Sequence, residues 1–326
     1  MKSKTELFEF QPFDIQNHFS QINNRNGETK LGERLASSYL KNEVQYVILG
    51  ISEDIGPQAN LGLKGSKSAF KSFLSRFLNC QSNRFLSGEN ISILGEIKST
   101  INFESIEKAR LQVEELDDFV IDVLSPIIKE GKIPIIIGGG HNNAFPLIKA
   151  NYLQSNTCLD IINLDPHADC RAIEGRHSGN PFSYAKKFGF INHYTVLGLH
   201  QQYNSESIYN YLDLHKFDYS FFEDYLDSKS NLLVDIELFK AKTNNKIGIE
   251  LDLDSIKMIP SSAFTPSGFT IEEARIYIRQ LAKMENCAYL HFPEGAPNTE
   301  IDEKVVGKML TYFVTDFIKI NSSSVN

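Results

Sequence analysis

The run Ile133-Pro-Ile-Ile-Ile137 constrains the fold of this chain more than any other stretch. It is apolar throughout, so neither face of a strand built from it can meet water. Just before it, Ile106, Ala109, Val113, Leu116, Val120, Val123 and Leu124 recur at helical spacing within Ser105–Lys129, and Gly131 lies in the C-cap region. Just after it, Asn142–Tyr152 reads as a helix and Leu159–Leu164 as a second buried strand. A helix between two buried strands makes a βαβ unit, which requires parallel strands.

The same alternation runs along the chain. Strands are expected at Val44–Ile51, Ile91–Leu94, Tyr194–Leu199, Ile247–Leu253 and Ala288–Phe292. Helices are expected at Gly32–Leu40, Ala69–Leu78, Pro181–Phe188, Ser205–Leu214, Asp218–Leu226, Leu232–Lys240, Ile271–Met284 (capped by Thr270) and Asp302–Ile320. The expected fold class is α/β, a three-layer αβα arrangement around a mostly parallel central sheet. No repeat, low-complexity block or linker divides the chain. Residues 1–326 therefore read as one domain, with 1–43 as a polar N-terminal extension and 321–326 as a frayed tail.

Charge and composition narrow the function. A formal charge of −8 without a basic cluster argues against a nucleic-acid surface. No run reaches the ~18 apolar residues of a membrane span. Cys80, Cys158, Cys170 and Cys287 form no CxxC pair, and the first residues lack the apolar core of a secretion signal, so a cytoplasmic protein with reduced thiols is expected.

Three stretches at the ends of expected strands carry possible metal ligands. His141 follows the glycines after Ile137, Asp165, His167 and Asp169 follow Leu164, and Asp252 and Asp254 end Ile247–Leu253. Residues two apart in an extended chain share a face, and sites in parallel sheets form outside the carboxyl ends of the strands. Imidazole with carboxylate suits a divalent metal of intermediate hardness. Four carboxylates gathered without cations would repel one another, whereas two divalent ions balance their charge and can activate water between them.

These motifs resemble those of the arginase, agmatinase and formimidoylglutamase family. The resemblance runs from about Val44 to Ile320. The family's GGDH appears as Gly138-Gly-Gly-His141, its DAHxD as Asp165-Pro-His-Ala-Asp169, its S-x-D-x-D as Glu250-Leu-Asp-Leu-Asp254 and its E-x-x-P as Glu294-Gly-Ala-Pro297. The resemblance implies an arginase-like fold, two Mn2+ ions held by His141, Asp165, His167, Asp169, Asp252 and Asp254, and hydrolysis of a formimino or guanidino C–N bond. It implies a catalytic role for Asp169, which would pass a proton to the leaving amine, and for Glu294, which would face the cationic head of the substrate. It also implies a homo-oligomer.

The departures point to one branch. Arg171 stands where formimidoylglutamases carry Arg and arginases carry Asn, and a guanidinium fork favours a substrate carboxylate. His177-Ser-Gly-Asn-Pro-Phe182 is similar to the Ser-Gly-Thr-Pro-Phe segment of formimidoylglutamases, which marks His177, Ser178 and Asn180 as substrate-binding candidates. Gly198–Ser205 and Glu53–Gly62 look like segments of that branch too. The expected reaction is N-formimidoyl-L-glutamate to L-glutamate and formamide. Hydrolysis of another guanidino compound and a catalytically silent binding protein are the alternatives. Three positions leave the family pattern: Gly140 for Asp, Pro166 for Ala and Glu250 for a small residue. Glu250 lies two positions before Asp252, where an extended strand would turn it towards the metals or the substrate.

Overall fold

A computed structural model describes residues 4–324. Among them, nine strands form one sheet: β1 (Phe8–Pro12), β2 (Tyr46–Ser52), β3 (Ile91–Ser99), β4 (Ile133–Ile137), β5 (Leu159–Leu164), β6 (Ile191–Leu199), β7 (Asp218–Phe221), β8 (Ile247–Leu251) and β9 (Cys287–Phe292). Their order across the sheet is β1-β3-β2-β4-β9-β8-β5-β6-β7, parallel throughout except for β1, which runs against β3. This is the three-layer α/β arrangement expected.

The helices are α1 (Ile55–Ala59), α2 (Ala69–Phe77), α3 (Ile106–Lys129), α4 (Ala144–Ser155), α5 (Pro181–Lys187), α6 (Glu206–Leu214), α7 (Phe222–Leu226), α8 (Leu232–Lys242), α9 (Ile271–Leu281) and α10 (Glu300–Ser324). The apolar stripe of α3 packs with Val47, Leu49 and Ile136 in one core, while α2, α9 and α10 build the other core around Ile48, Ile135, Ile249 and Leu290. The side chains of β4 thus divide between two buried layers, as its unbroken apolar run requires. Ser105 caps α3 by accepting from the Lys108 amide, and Thr270 with Glu273 forms a capping box on α9. No helix among the described residues is long and apolar enough to cross a membrane.

Three local expectations give way. Asp218–Phe221 is an edge strand beside β6, and only Phe222–Leu226 is helical. The aromatic run there suits a pleated surface, and the exposed edge of β6 supplies the partner. Gly32–Leu40 holds only a single 3₁₀ turn at Leu31–Glu33, while the polar extension contributes β1 to the sheet. The end of the chain does not fray at Asn321, because α10 continues to Ser324. Asn321 is buried, donates to the Ala282 and Met284 carbonyls and accepts from the Tyr46 hydroxyl. Residues 325–326 of the expected tail lie outside the described residues.

Candidate metal centre

The chain runs outward from β5 through β6 to β7, then returns to insert β8 and β9 between β4 and β5. That insertion makes β4, β9, β8 and β5 adjacent, and their carboxyl ends deliver His141, Glu294, Asp252 with Asp254, and Asp165 with Asp169 to one place. The alternation expected to align these side chains is not what brings them together. β5 ends at Leu164 and β8 at Leu251, so the ligand candidates sit on turns beyond the strands. Asp169 has φ 48° and Glu294 φ 67°, both in the left-handed region that non-glycine residues seldom occupy. Asp252 begins a 3₁₀ turn and accepts from the Asp254 amide at 2.7 Å.

His141 is fully buried. Its Nδ1 lies 2.9 Å from Asp169 Oδ2, 2.9 Å from Asp252 Oδ2 and 3.2 Å from Asp165 Oδ2. Asp165 turns its other oxygen to His167, whose Nδ1 is 3.5 Å away, and Asp254 Oδ2 stands 3.9 Å from the same nitrogen. The six residues therefore form two adjoining groups that share Asp165. One oxygen or nitrogen from each of His141, Asp165, Asp169 and Asp252 falls within 4.8 Å of the others.

Burial pushes the Asp169, Asp252 and Asp254 carboxyls up, and neighbouring carboxylates add to the rise. Burial works against protonation of His167, yet the carboxylates of Asp165, Asp254 and Asp169 carry it up to about 9. Neither nitrogen of His141 meets a hydrogen-bond partner of acceptable geometry. Crowded buried carboxylates around an imidazole without a partner are electrostatically incomplete, and divalent cations of the Mn2+ type fit this donor set.

Above the group lies a cavity of about 460 Å³, lined by His167, Asp169, Arg171, Ser178, Tyr203, Asp252, Asp254 and Glu294 among others. Glu294 Oε1 accepts from the His141 amide at 2.6 Å, while Oε2 is buried with no partner. Burial, with Asp254 nearby, pushes the Glu294 carboxyl up to about 8. Tyr203 stacks on His167 with ring centroids 5.5 Å apart. Arg171 sits at the rim, its side chain 58% exposed, with Nε 3.9 Å from Glu174.

Two of the substrate-binding candidates lie elsewhere. His177 is buried in its own loop, where Nδ1 accepts from the Gly179 amide and Nε2 faces Glu174 at 3.2 Å. Asn180 is also buried. It accepts from Arg176 and the His177 amide and donates to the Ala172 and Gly175 carbonyls. Neither lines the cavity, because the loop's own unpaired backbone groups claim their polar atoms. Ser178 does line it.

Two side chains of the site, Glu53 and Arg176, carried no role in the sequence. Glu53 accepts from the Gly140 amide and the Asn143 side chain, and so holds the turn that bears His141. A side chain at Gly140 would begin 2.3 Å from Pro57 Cδ, so the Asp of the family motif does not fit here. Arg176, also buried, ties α3 to that turn through Asp117 and the Asn142 carbonyl. The signal that was present is Asp117 itself, a carboxylate adjoining the apolar stripe of α3. Behind His141 lies Glu250, whose place relative to the metal shell the sequence leaves open. Glu250 faces the far side of the ring, with His291 and Tyr289.

A profile of the Arginase family matches residues 45–315. The chain belongs to the arginase family. It is similar to the formimidoylglutamase of Corynebacterium efficiens, 33% identical over 99 residues, which are 30% of this chain and 32% of that one. It is also similar to the formimidoylglutamase of Macrococcus caseolyticus, 26% identical over 280 residues, 82% of this chain and 83% of the other. The chain thus spans about a third of the first relative and more than four fifths of the second. Among solved structures it shares its fold with a Trypanosoma cruzi formiminoglutamase with Mn2+, at a TM-score of 0.72 and 22% identity, over 89% of this arginase-family chain and 98% of the other.

Proposed function

We propose that this arginase-family hydrolase acts on an amidine that also carries a carboxylate, with N-formimidoyl-L-glutamate as substrate and L-glutamate and formamide as products. The observation that carries the reading is the polarity of the cavity: the unpartnered Glu294 Oε2 lies at its floor and the Arg171 guanidinium at its rim. A linear substrate with a cationic amidinium at one end and a carboxylate at the other matches both.

His141, Asp165, His167, Asp169, Asp252 and Asp254 would hold two Mn2+ ions. When bound, the ions supply charge neutralisation and activate water for hydrolysis. Glu294 Oε2 accepts an N–H of the amidinium and fixes the planar carbon over the carboxylate cluster. Its Oε1 is already held by the His141 amide, so little ordering remains to be done on binding. Asp169, locked by its left-handed backbone, takes the proton released by water and passes it to the leaving amine. Tyr203, stacked on His167, screens that side of the cavity from bulk water. Arg171 and Ser178 receive the carboxylate end. The four free cysteines suit a cytoplasmic setting, and the family resemblance suggests a homo-oligomer.

Glu174 stands beside Arg171 at the rim and favours a second reading, hydrolysis of a guanidino compound whose amino group would meet it. Steady-state assays of the Mn2+-loaded protein on N-formimidoyl-L-glutamate, arginine and agmatine separate the two. Turnover of the first alone is expected, and Arg171→Ala raises its KM about fivefold, as suits a partly exposed charge pair worth roughly 1 kcal/mol. Turnover of guanidino compounds alone refutes the proposal.

A further inference from the structure

We propose that Glu250 positions His141 for metal binding, by holding the ring from the side opposite the carboxylate cluster. The inference rests on His141 being a metal ligand, as proposed above. The two ring nitrogens meet different surroundings. Nδ1 faces Asp165, Asp169 and Asp252, whereas Nε2 faces Glu250 Oε2 at 3.4 Å. A neutral imidazole carries one N–H. On Nδ1 it would occupy the direction a cation needs, and on Nε2 it leaves the Nδ1 lone pair free. In the metal-free ring neither contact has hydrogen-bond geometry. With a cation on Nδ1 the proton stays on Nε2, where Glu250 is the acceptor that faces it, and such partners orient metal-binding histidines in general.

Glu250 is built to be that acceptor. It lies on β8, fully buried, opposite His291 on the neighbouring strand β9. Tyr289 donates its hydroxyl to Oε1 at 2.7 Å, and His291 Nδ1 lies 2.6 Å from Oε2. Both partners come from alternate positions of one strand, so they fix the carboxylate on a rigid element. His141 itself has little room, since the Phe182 ring stands edge-on to it at 5.4 Å between centroids. The family motif carries a small residue at this position. The carboxylate behind the histidine is therefore a feature of this chain.

The test measures Mn2+ binding to metal-free protein by calorimetry in the wild type, Glu250→Gln and Tyr289→Phe, with 15N spectra of the histidines. The His141 signals are assigned by their loss in His141→Asn. One of the two sites should weaken by about 10–100-fold in Glu250→Gln while the other is unchanged. Tyr289→Phe should move the same site in the same direction by a smaller factor. In protein loaded with diamagnetic Zn2+, the His141 Nε2 proton should resonate downfield in the wild type and move upfield in Glu250→Gln. Folded variants with lower melting temperatures but wild-type affinities and an unmoved His141 Nε2 proton make Glu250 merely structural and overturn the proposal. Three ions per chain, with the third lost in Glu250→Gln, also overturn it, because Glu250 would then be a ligand. If Glu250→Gln does not fold, Tyr289→Phe decides on the same terms. A wild type that binds no Mn2+ refutes the metal centre itself and the proposal with it, whereas two bound ions with no loss in Glu250→Gln overturn the proposal alone.

Discussion

The buried guanidinium of Arg176 connects three parts of the molecule that must keep register for the site to exist. Its Nε and one terminal nitrogen reach the two oxygens of Asp117 on α3 at 2.8 and 3.3 Å. The same terminal nitrogen donates to the Asn142 carbonyl at 2.8 Å, next to His141, and the other donates to Asn180 at 2.8 Å. Its central carbon, Cζ, lies 4.6 Å from the centroid of Phe145 and 5.0 Å from that of Tyr184. Asp117→Asn keeps the shape and removes the counter-charge. Breaking a buried pair in this way costs about 3–5 kcal/mol, because the remaining ion has neither water nor partner. Burial pushes the Asp117 carboxyl up to about 6 against the pull of Arg176, so urea titrations belong at pH 8, where it is ionised. The unfolding midpoint should fall by roughly 1–2 M. Paired with Arg176→Met, Asp117→Leu should lose less than the sum of the singles, by about 2–3 kcal/mol. A residual loss of about 1–3 kcal/mol should persist, since the Asn142 carbonyl and the Asn180 side chain lose their donor. Additive single effects, or an Asp117→Asn cost under 1 kcal/mol, would refute the account of Arg176 as an ion dependent on its partner.

Two further outcomes follow from the same geometry. The His177 imidazole is pushed down to about 4, first by burial and then by the Arg110 guanidinium, with Glu174 opposing. The unfolded chain therefore binds a proton near 6.5 that the folded one refuses until about 4. The stability is whole above about 6.5 and is lost as pH falls towards 4, by about 2 kcal/mol at pH 5. Denaturation of His177→Asn should show a shallower loss between pH 7 and 5, and an unchanged slope would remove His177 from the account. Chelation of the Mn2+-loaded protein should lower its melting temperature, by the equivalent of about 2.7 kcal/mol for a site saturated at a hundred times its dissociation constant. An identical melting curve with and without chelator would show that the carboxylate cluster does not rely on cations.

Local pattern fixes elements, and the elements here were legible in the residues. The unbroken apolar run of β4 and the mostly apolar ones of β5 and β9 demanded a sheet covered on both faces, and the spacing along Ser105–Lys129 demanded the helix that covers one side. Those requirements act between near neighbours, so they survive without knowledge of the fold. The six ligand-competent residues were legible for the same reason, since each lies in the turn that follows a buried strand. What brings them together was not. β8 and β9 insert between β4 and β5, a choice made by pairing of β8 with β5 (Asp160 opposite Ile247) and of β9 with β4 (Ile135 opposite Leu290), segments far apart in the chain. The positive φ values at Asp169 and Glu294 have no counterpart in residue type, since neither is a glycine. Tertiary contact likewise sent His177 and Asn180 into their own loop, placed Glu250 behind His141 and recruited Glu53 and Arg176. A buried polar atom takes whichever partner the fold sets beside it, and that partner has no fixed distance along the chain.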